Sequence, residues 1–292
     1  MAEGRAPARA ALAGNPSDGY GGAVLAVTVE AFAAQALVRP AATGDAAGGA
    51  EPTLVEATVR RFYRDVLPAA PPSRAAWSTT IPRSVGLGGS SAIVIATLRA
   101  LCAHHGLELG SVDLAELALS VEVDDLGIAA GLQDRIAQSF GGVTFMDFGR
   151  PPRYERLDSA LLPPLLVAWR EHTGSSSGGV HGDLRRRYDA GDPGLQKAMA
   201  ELAGLARAAR DALLAGDHAT LGRCADASFD VRTRILTLDP RHVEMVHIAR
   251  SAGAAANYAG SGGAIVCVCR DLPHRAELAR ALELEACGTV EI

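Results

Sequence analysis

Three glycine-rich stretches constrain this chain more than any other feature: GNPSDGYGG at 14–22, GLGGSSA at 86–92 and GSGG at 260–263, each beside an apolar segment. Glycine permits positive φ and lets backbone approach a ligand or another segment closely. One such stretch is an ordinary turn, but three in one chain are hard to explain that way. In the middle one, Gly86, Leu87, Gly88 and Gly89 lead into Ser90, Ser91 and Ala92, the start of an apolar helix expected from about Ser90 to Ala103. The free N–H groups and dipole at that helix start favour an anion. By itself the stretch is equally a glycine turn with a serine N-cap, and at this point both readings stand.

Other features limit the chemistry. Lys197 is the sole lysine, in LQKAMAEL with no glycine loop before it. The usual phosphate-binding P-loop needs a lysine directly after its glycines, so that mechanism is excluded, and Schiff-base chemistry is disfavoured for the same reason. Any phosphate chemistry must use backbone N–H groups, helix N-termini, arginine and a metal ion. A hydroxyl of Ser90 or Ser91 suits magnesium, which prefers oxygen ligands and keeps several waters. The net charge is -5 with arginines spread along the chain, so no basic stripe marks a nucleic-acid partner. No apolar run approaches the roughly 20 residues that span a bilayer, and MAEGRAPARA has no compact apolar core with a cleavage site. Of five cysteines only Cys267 and Cys269 are close, on one face of an expected strand in GAIVCVC. They read as small core residues of a reduced, cytoplasmic protein.

With 292 residues, 48% of them hydrophobic, the chain can form one large or two moderate domains. Strand patterns are expected in AVLAVTVEAFAAQALV, WSTTIP, VTFMDF, LLVAW, AIVCVC and TVEI. Helical spacing is expected in TLVEATVRRFYRDV, in SVDLAELALSVEVDDLG with a Ser/Asp cap, in GLQDRIAQSFGG, over about 194–215, 217–236 and 240–253, and in PHRAELARALELEA. REHTGSSSGGVHG reads as a loop and GRPPRYERLDSALLPP as a linker. Strands and helices mix in both halves without regular βαβ alternation, which argues for an α+β protein with domains over 1–158 and 159–292.

In order and in wording, the three glycine stretches resemble the three motifs of the GHMP kinase superfamily (galactokinase, homoserine kinase, mevalonate kinase, phosphomevalonate kinase). The resemblance runs from about residue 5 to the C-terminus. GNPSDGYGG, GLGGSSAIV, GLQDRIAQSFGGVTFMDF, SSSGGVHGDLRRRYDAGD and IARSAGAAANYAGSGGAIV are similar to the glucuronokinase branch. The resemblance implies a two-domain fold, with an N-terminal domain like domain 2 of ribosomal protein S5 and a ferredoxin-like C-terminal domain. It also implies ATP as co-substrate, Mg2+ as cofactor and an active site in the cleft between the domains.

By the same resemblance Asp134 matches the aspartate beside the accepting hydroxyl, which must reach that proton within about 2.6–3.2 Å to act as its base. Arg9 falls where the family has a cation that favours the ionised aspartate and balances the moving phosphoryl charge. Glu122 matches the glutamate that shares magnesium with a motif serine, here Ser90 by alignment. Gly89 replaces the other family serine and leaves Ser91 as an alternative. Asn15, Pro16, Ser17 and Asp18 are expected to build the sugar pocket, with His181, Gly260 and Gly262 also on the substrate. Asp18 offers acceptor oxygens to two neighbouring hydroxyls. A uronate carboxylate calls for a guanidinium, and Arg83, Arg185, Arg186 and Arg187 are the candidates weighed. The expected activity is phosphorylation of D-glucuronate to glucuronate 1-phosphate. The alternatives are another sugar or sugar phosphate (galactose, galacturonate, heptose phosphate) or a non-catalytic sugar-binding regulator on the same fold.

Overall fold

The computed structural model describes residues 1–41, 53–71, 73–170 and 178–292, with backbone alone at 178–181. Its packing divides the chain into two compact units. The first holds Met1–Ala8, Glu30–Ile81 and Gly88–Phe140, and the second holds Arg9–Val29, Pro82–Leu87 and Gly141–Ile292. Each unit therefore gathers separate stretches of the chain.

Two long strands, β1 (Ala2–Ala13) and β2 (Ala23–Pro40), contribute residues to both units. β1 has no strand signature, being rich in alanine and arginine. Its residues Ala6, Ala8 and Ala10–Ala13 have no exposed surface, so burial overrides weak propensity there. In the first unit β2 pairs antiparallel with β3 (Ser73–Thr79), with Ala36 opposite Trp77. α1 (Leu54–Asp65) starts in a capping box: Thr53 N donates to Glu56 Oε2 at 2.9 Å and Glu56 N to Thr53 Oγ1 at 3.3 Å. α2 (Gly89–His105) is buried along Ser91–Leu98 and ends on left-handed Gly106. α3 (Ser111–Ser120) begins after Gly110 with no side-chain cap, so the expected Ser/Asp cap is not formed; Asp113 instead places its charge in the first turn. The helix continues through a π-helical turn, Val121–Asp125, and the short α4 (Gln133–Phe140) follows.

The second unit carries two sheets. In the first, β1 lies beside β2, β2 pairs with β4 (Val143–Asp147), and β4 pairs with β5 (Arg153–Leu157). The expected linker thus contains a strand. After its prolines, RYERL forms an antiparallel ladder running from Val143↔Leu157 to Asp147↔Arg153. The other sheet has the order β7-β8-β6-β9, with every pair antiparallel. Its strands are β6 (Leu165–Trp169), β7 (Ala255–Tyr258), β8 (Ala264–Val268) and β9 (Gly288–Glu291). Between β6 and β7 lie α5 (Gly178–Asp189), α6 (Pro193–Leu214), α7 (His218–Ile235) and α8 (Pro240–Ser251); α9 (Leu272–Leu284) connects β8 to β9. The expected loop over 170–182 is helical from Gly178, and 171–177 fall outside the described residues. β7, which the sequence pattern does not predict, directly precedes the third glycine stretch. Leu166, Phe229, Met245, Ile265, Cys267, Cys269 and Leu278 form one core under this sheet, and Leu184, Leu195, Leu202 and Val231 form another beside α6 and α7. The architecture is α+β, as expected.

Candidate active site

In the second unit the first and third glycine stretches meet the opening residues of the second, Gly86 and Leu87. Arg9, 4% exposed on β1, donates its backbone N–H to Leu87 O at 3.1 Å. Its Nη1 donates to Gly86 O at 2.6 Å and to Ala259 O at 3.0 Å. One guanidinium therefore ties the second glycine loop to the third. The glycines are needed for the contact itself: a Cβ on Gly260 would lie 2.1 Å from Gly86 O, and one on Gly263 would lie 2.7 Å from Val85 Cα. Both obstacles are backbone, so no side-chain shift relieves them.

The first glycine stretch is a compact turn ending in a 3-10 turn, Ser17–Tyr20. Buried Ser17 gives its hydroxyl to Ala23 O at 2.9 Å, and Gly22 N donates back to Ser17 O at 2.9 Å. Ser17 therefore closes the loop. Asn15 and Pro16 are buried and Asp18 is half-buried. Gly14 N donates to Ser228 Oγ of α7 at 3.3 Å. Arg185 of α5 donates to Gly19 O at 2.5 Å and stacks over the Tyr20 ring, 4.6 Å from its centroid. Its neighbours turn elsewhere: Arg186 pairs with Asp183, and Arg187 with Asp192 at 3.1 Å. Arg83 is exposed. His181 lies on the backbone of α5, and its side chain is outside the described residues.

Sequence reasoning missed Arg232. This α7 residue is 2% exposed and donates through Nη1 to Asn15 Oδ1 at 2.8 Å and through Nη2 to Gly260 O at 2.8 Å. It also lies 5.3 Å from the Tyr258 ring centroid. Burial pushes its guanidinium down to about 10, and burial raises the Tyr258 phenol above its ordinary value. The signal was present in outline: Arg232 shares the apolar stripe of α7 with Ser228, Phe229 and Ile235.

The first unit supplies the start of α2. Gly88 caps it in the left-handed region (φ 74°), with no side-chain cap bond. Its carbonyl accepts from Ala92 N at 3.1 Å, Ser91 Oγ at 3.1 Å and Gln138 Nε2 at 2.8 Å. Ser91 is thus buried and committed to backbone, whereas Ser90 is exposed. The N–H groups of Gly89, Ser90 and Ser91 precede the first helical bond, the arrangement that receives an anion.

Glu122, with no exposed surface, sits in the π-helical turn and is paired with Arg135 of α4. Arg135 Nε donates to Glu122 Oε2 at 2.9 Å and Nη2 to the same oxygen, while Nη1 donates to Gly131 O at 2.6 Å. Glu122 Oε1 is buried without a hydrogen-bond partner. An orphaned carboxylate oxygen is the kind of ligand a hard cation such as magnesium takes, so Glu122 fits that ion through one oxygen. The neighbouring Asp124 and Asp125 have a structural role: Arg61 bonds them at 3.1 and 2.6 Å. Asp134 lies half-buried in the first turn of α4, beside buried Gln133. No group of three or more His, Cys, Asp or Glu able to hold a metal occurs among the described residues. No described helix is long and apolar enough to cross a membrane.

Comparison with known proteins agrees with this layout. The family models for the N-terminal and C-terminal domains of GHMP kinases match residues 53–142 and 209–287. Glucuronokinase 1 of Arabidopsis thaliana is 40% identical over 214 residues, covering 69% of this chain and 59% of that protein. Probable glucuronokinase 2 of the same plant is 40% identical over 215 residues, covering 69% and 58%. The chain's match thus spans a little under three fifths of the length of these relatives. Among solved structures, Lactococcus lactis galactokinase complexed with galactose superposes with a TM-score of 0.83 at 16% identity, covering 99% of this chain and 92% of that one. The order of the motifs, the α+β architecture and the matches to both domain models agree: the chain belongs to the GHMP kinase family.

Proposed function

We propose that this protein transfers the γ-phosphoryl group of ATP to the anomeric hydroxyl of a sugar, with D-glucuronate as the substrate and glucuronate 1-phosphate and ADP as products. The observation that carries the reading is the 40% identity to a plant glucuronokinase over 214 residues. The tie between the second and third glycine loops through Arg9 supports it. In this reading residues 1–158 and 159–292 are the two family domains, and the enzyme works in the cytoplasm.

The start of α2 holds the phosphates through the N–H groups of Gly89, Ser90 and Ser91, with Gly86, Leu87, Gly88 and Ala92 shaping the loop. Asn15, Pro16 and Asp18 bind the sugar, with Ser17 holding their loop, and Gly260, Gly262 and His181 complete the pocket. Asp134 accepts the proton of the anomeric hydroxyl, or orients that hydroxyl, as it attacks the γ-phosphorus. Arg9 balances the charge that develops on the phosphoryl oxygens. Ser90 and Glu122 would hold Mg2+, which when bound neutralises charge on the β- and γ-phosphates. Exposed Ser90 is favoured over Ser91, whose hydroxyl is already bonded to Gly88 O.

A coupled ADP-release assay over a sugar panel tests the reading. Turnover of D-glucuronate above galactose, galacturonate and heptose phosphate is expected. Turnover of a neutral hexose with none of glucuronate rejects the substrate, and binding of sugar without any ADP release favours a regulator.

A further inference from the structure

The sugar-binding loop is backed by a buried cation whose hydrogen-bond acceptors are all neutral. Arg232 donates to Asn15 Oδ1 at 2.8 Å, Asn15 O at 3.4 Å and Gly260 O at 2.8 Å. Its Nε is buried with no partner. A guanidinium with 2% exposure normally meets a carboxylate, because burying an uncompensated charge is costly. Arg135, comparably buried, meets Glu122 in this way. Near Arg232, burial and then the guanidinium of Arg9 oppose its charge, while Tyr258 and the carboxylate of Asp18 favour it. Among the described residues Arg232 thus brings a positive charge against the Asn15–Asp18 loop with no counter-ion bonded to it directly.

We infer that Arg232 is the specificity-determining residue for an anionic sugar, supplying the positive charge that draws the carboxylate of a uronic acid to the Asn15–Asp18 loop. The inference rests on the proposed sugar-kinase reading and adds to it the residue that separates an acid from a neutral sugar. The geometry gives Arg232 a second role in the same selection. By holding Asn15 Oδ1 it leaves the Nδ2 side of that amide as the donor the loop can offer to a sugar oxygen. The arginines of the LRRRY run fit less well. Arg186 and Arg187 already have carboxylate partners, and Arg185 is half exposed over Tyr20.

The decisive comparison is D-glucuronate against D-glucuronamide, its neutral isostere, measured as kcat/KM by coupled ADP release. In the unmodified protein the acid is expected to exceed the amide by about tenfold or more, the discrimination expected of a nearby opposite charge in a low-dielectric setting. Arg232→Gln should bring that ratio to within about twofold of unity, while ATP binding and the far-UV circular dichroism spectrum stay unchanged. Arg185→Gln should keep the ratio, and this variant keeps the inference open to refutation even if Arg232→Gln does not fold. A preserved acid preference in folded Arg232→Gln, or its loss in Arg185→Gln, overturns the inference while leaving the kinase reading intact. Absence of glucuronate turnover in the unmodified protein overturns both.

Discussion

Arg9 Nη1 lies 2.6 Å from the carbonyl oxygen of Gly86 and 3.0 Å from that of Ala259, so one buried guanidinium on β1 braces two glycine loops far apart in sequence. Both acceptors are neutral and both bonds are charge-assisted, the stronger class of hydrogen bond. Arg9→Met is therefore expected to lose about 1.5–3 kcal/mol of stability in a urea titration. Arg9→Lys, which keeps the charge but not the fork, should fall between.

Glycine is required at 260 and dispensable at 89. A Cβ on Gly260 would lie 2.1 Å from Gly86 O and 2.8 Å from Arg9 Nη1. Gly260→Ala should cost about 1–3 kcal/mol or more as the loops are forced apart. A Cβ on Gly89 would meet only Ile81 Cγ2, at 3.8 Å, and Gly89 opens α2 without a left-handed φ. Gly89→Ala is expected to leave stability unchanged or raise it by about 0.4–1 kcal/mol, read as Tm by calorimetry.

These two glycines show what the sequence made legible. Three glycine stretches in order, followed by an apolar helix, revealed the family and the anion-receiving start of α2. Nothing in the letters said that Gly260 rests on Gly86, because that approach links segments 174 residues apart. β1 escaped notice because alanine and arginine carry no strand preference, and its near-total burial decides its state instead. β5 was masked by the prolines before it. Helices α6 to α9 were readable because their apolar stripes are long and regular. Buried helix faces held the missed site residues: Arg135 on α4 and Arg232 on α7 are charges at positions where a charge needs a reason.

The five cysteines are all buried and free, and burial raises each thiol above its ordinary value, Cys269 to about 11. A raised thiol pKa means less thiolate at a given pH, and thiolate is the reactive form. Native protein at pH 8 should react slowly with a disulfide reagent such as DTNB, and all five thiols should react promptly in guanidinium. Rapid labelling of even one thiol in the native state would show that its burial is not maintained.

Asp134 stands in the first turn of α4, where the helix dipole favours its charge. As the proposed base it can be replaced by a neutral isostere with little change in shape. Asp134→Asn is expected to lower kcat about 100-fold or more with a modest change in KM for ATP, the usual range for losing a positioned proton acceptor. Unchanged kcat would remove Asp134 from the mechanism.

Glu122 and Arg135 separate structure from metal binding. The pair is almost wholly buried, so Glu122→Gln strands the Arg135 charge and is expected to cost about 3–5 kcal/mol. Removing both charges as Glu122→Gln with Arg135→Gln should cost less than the sum of the two single changes, because neither variant side chain then faces an uncompensated ion. Stability alone cannot reveal whether the orphaned Oε1 serves a metal, but the magnesium dependence of turnover can. The double variant, with the charge imbalance removed, should still need more Mg2+ for half-maximal rate if Oε1 is a ligand. If its Mg2+ requirement matches the unmodified protein, the Glu122–Arg135 pair is purely a brace between the π-helical turn and α4.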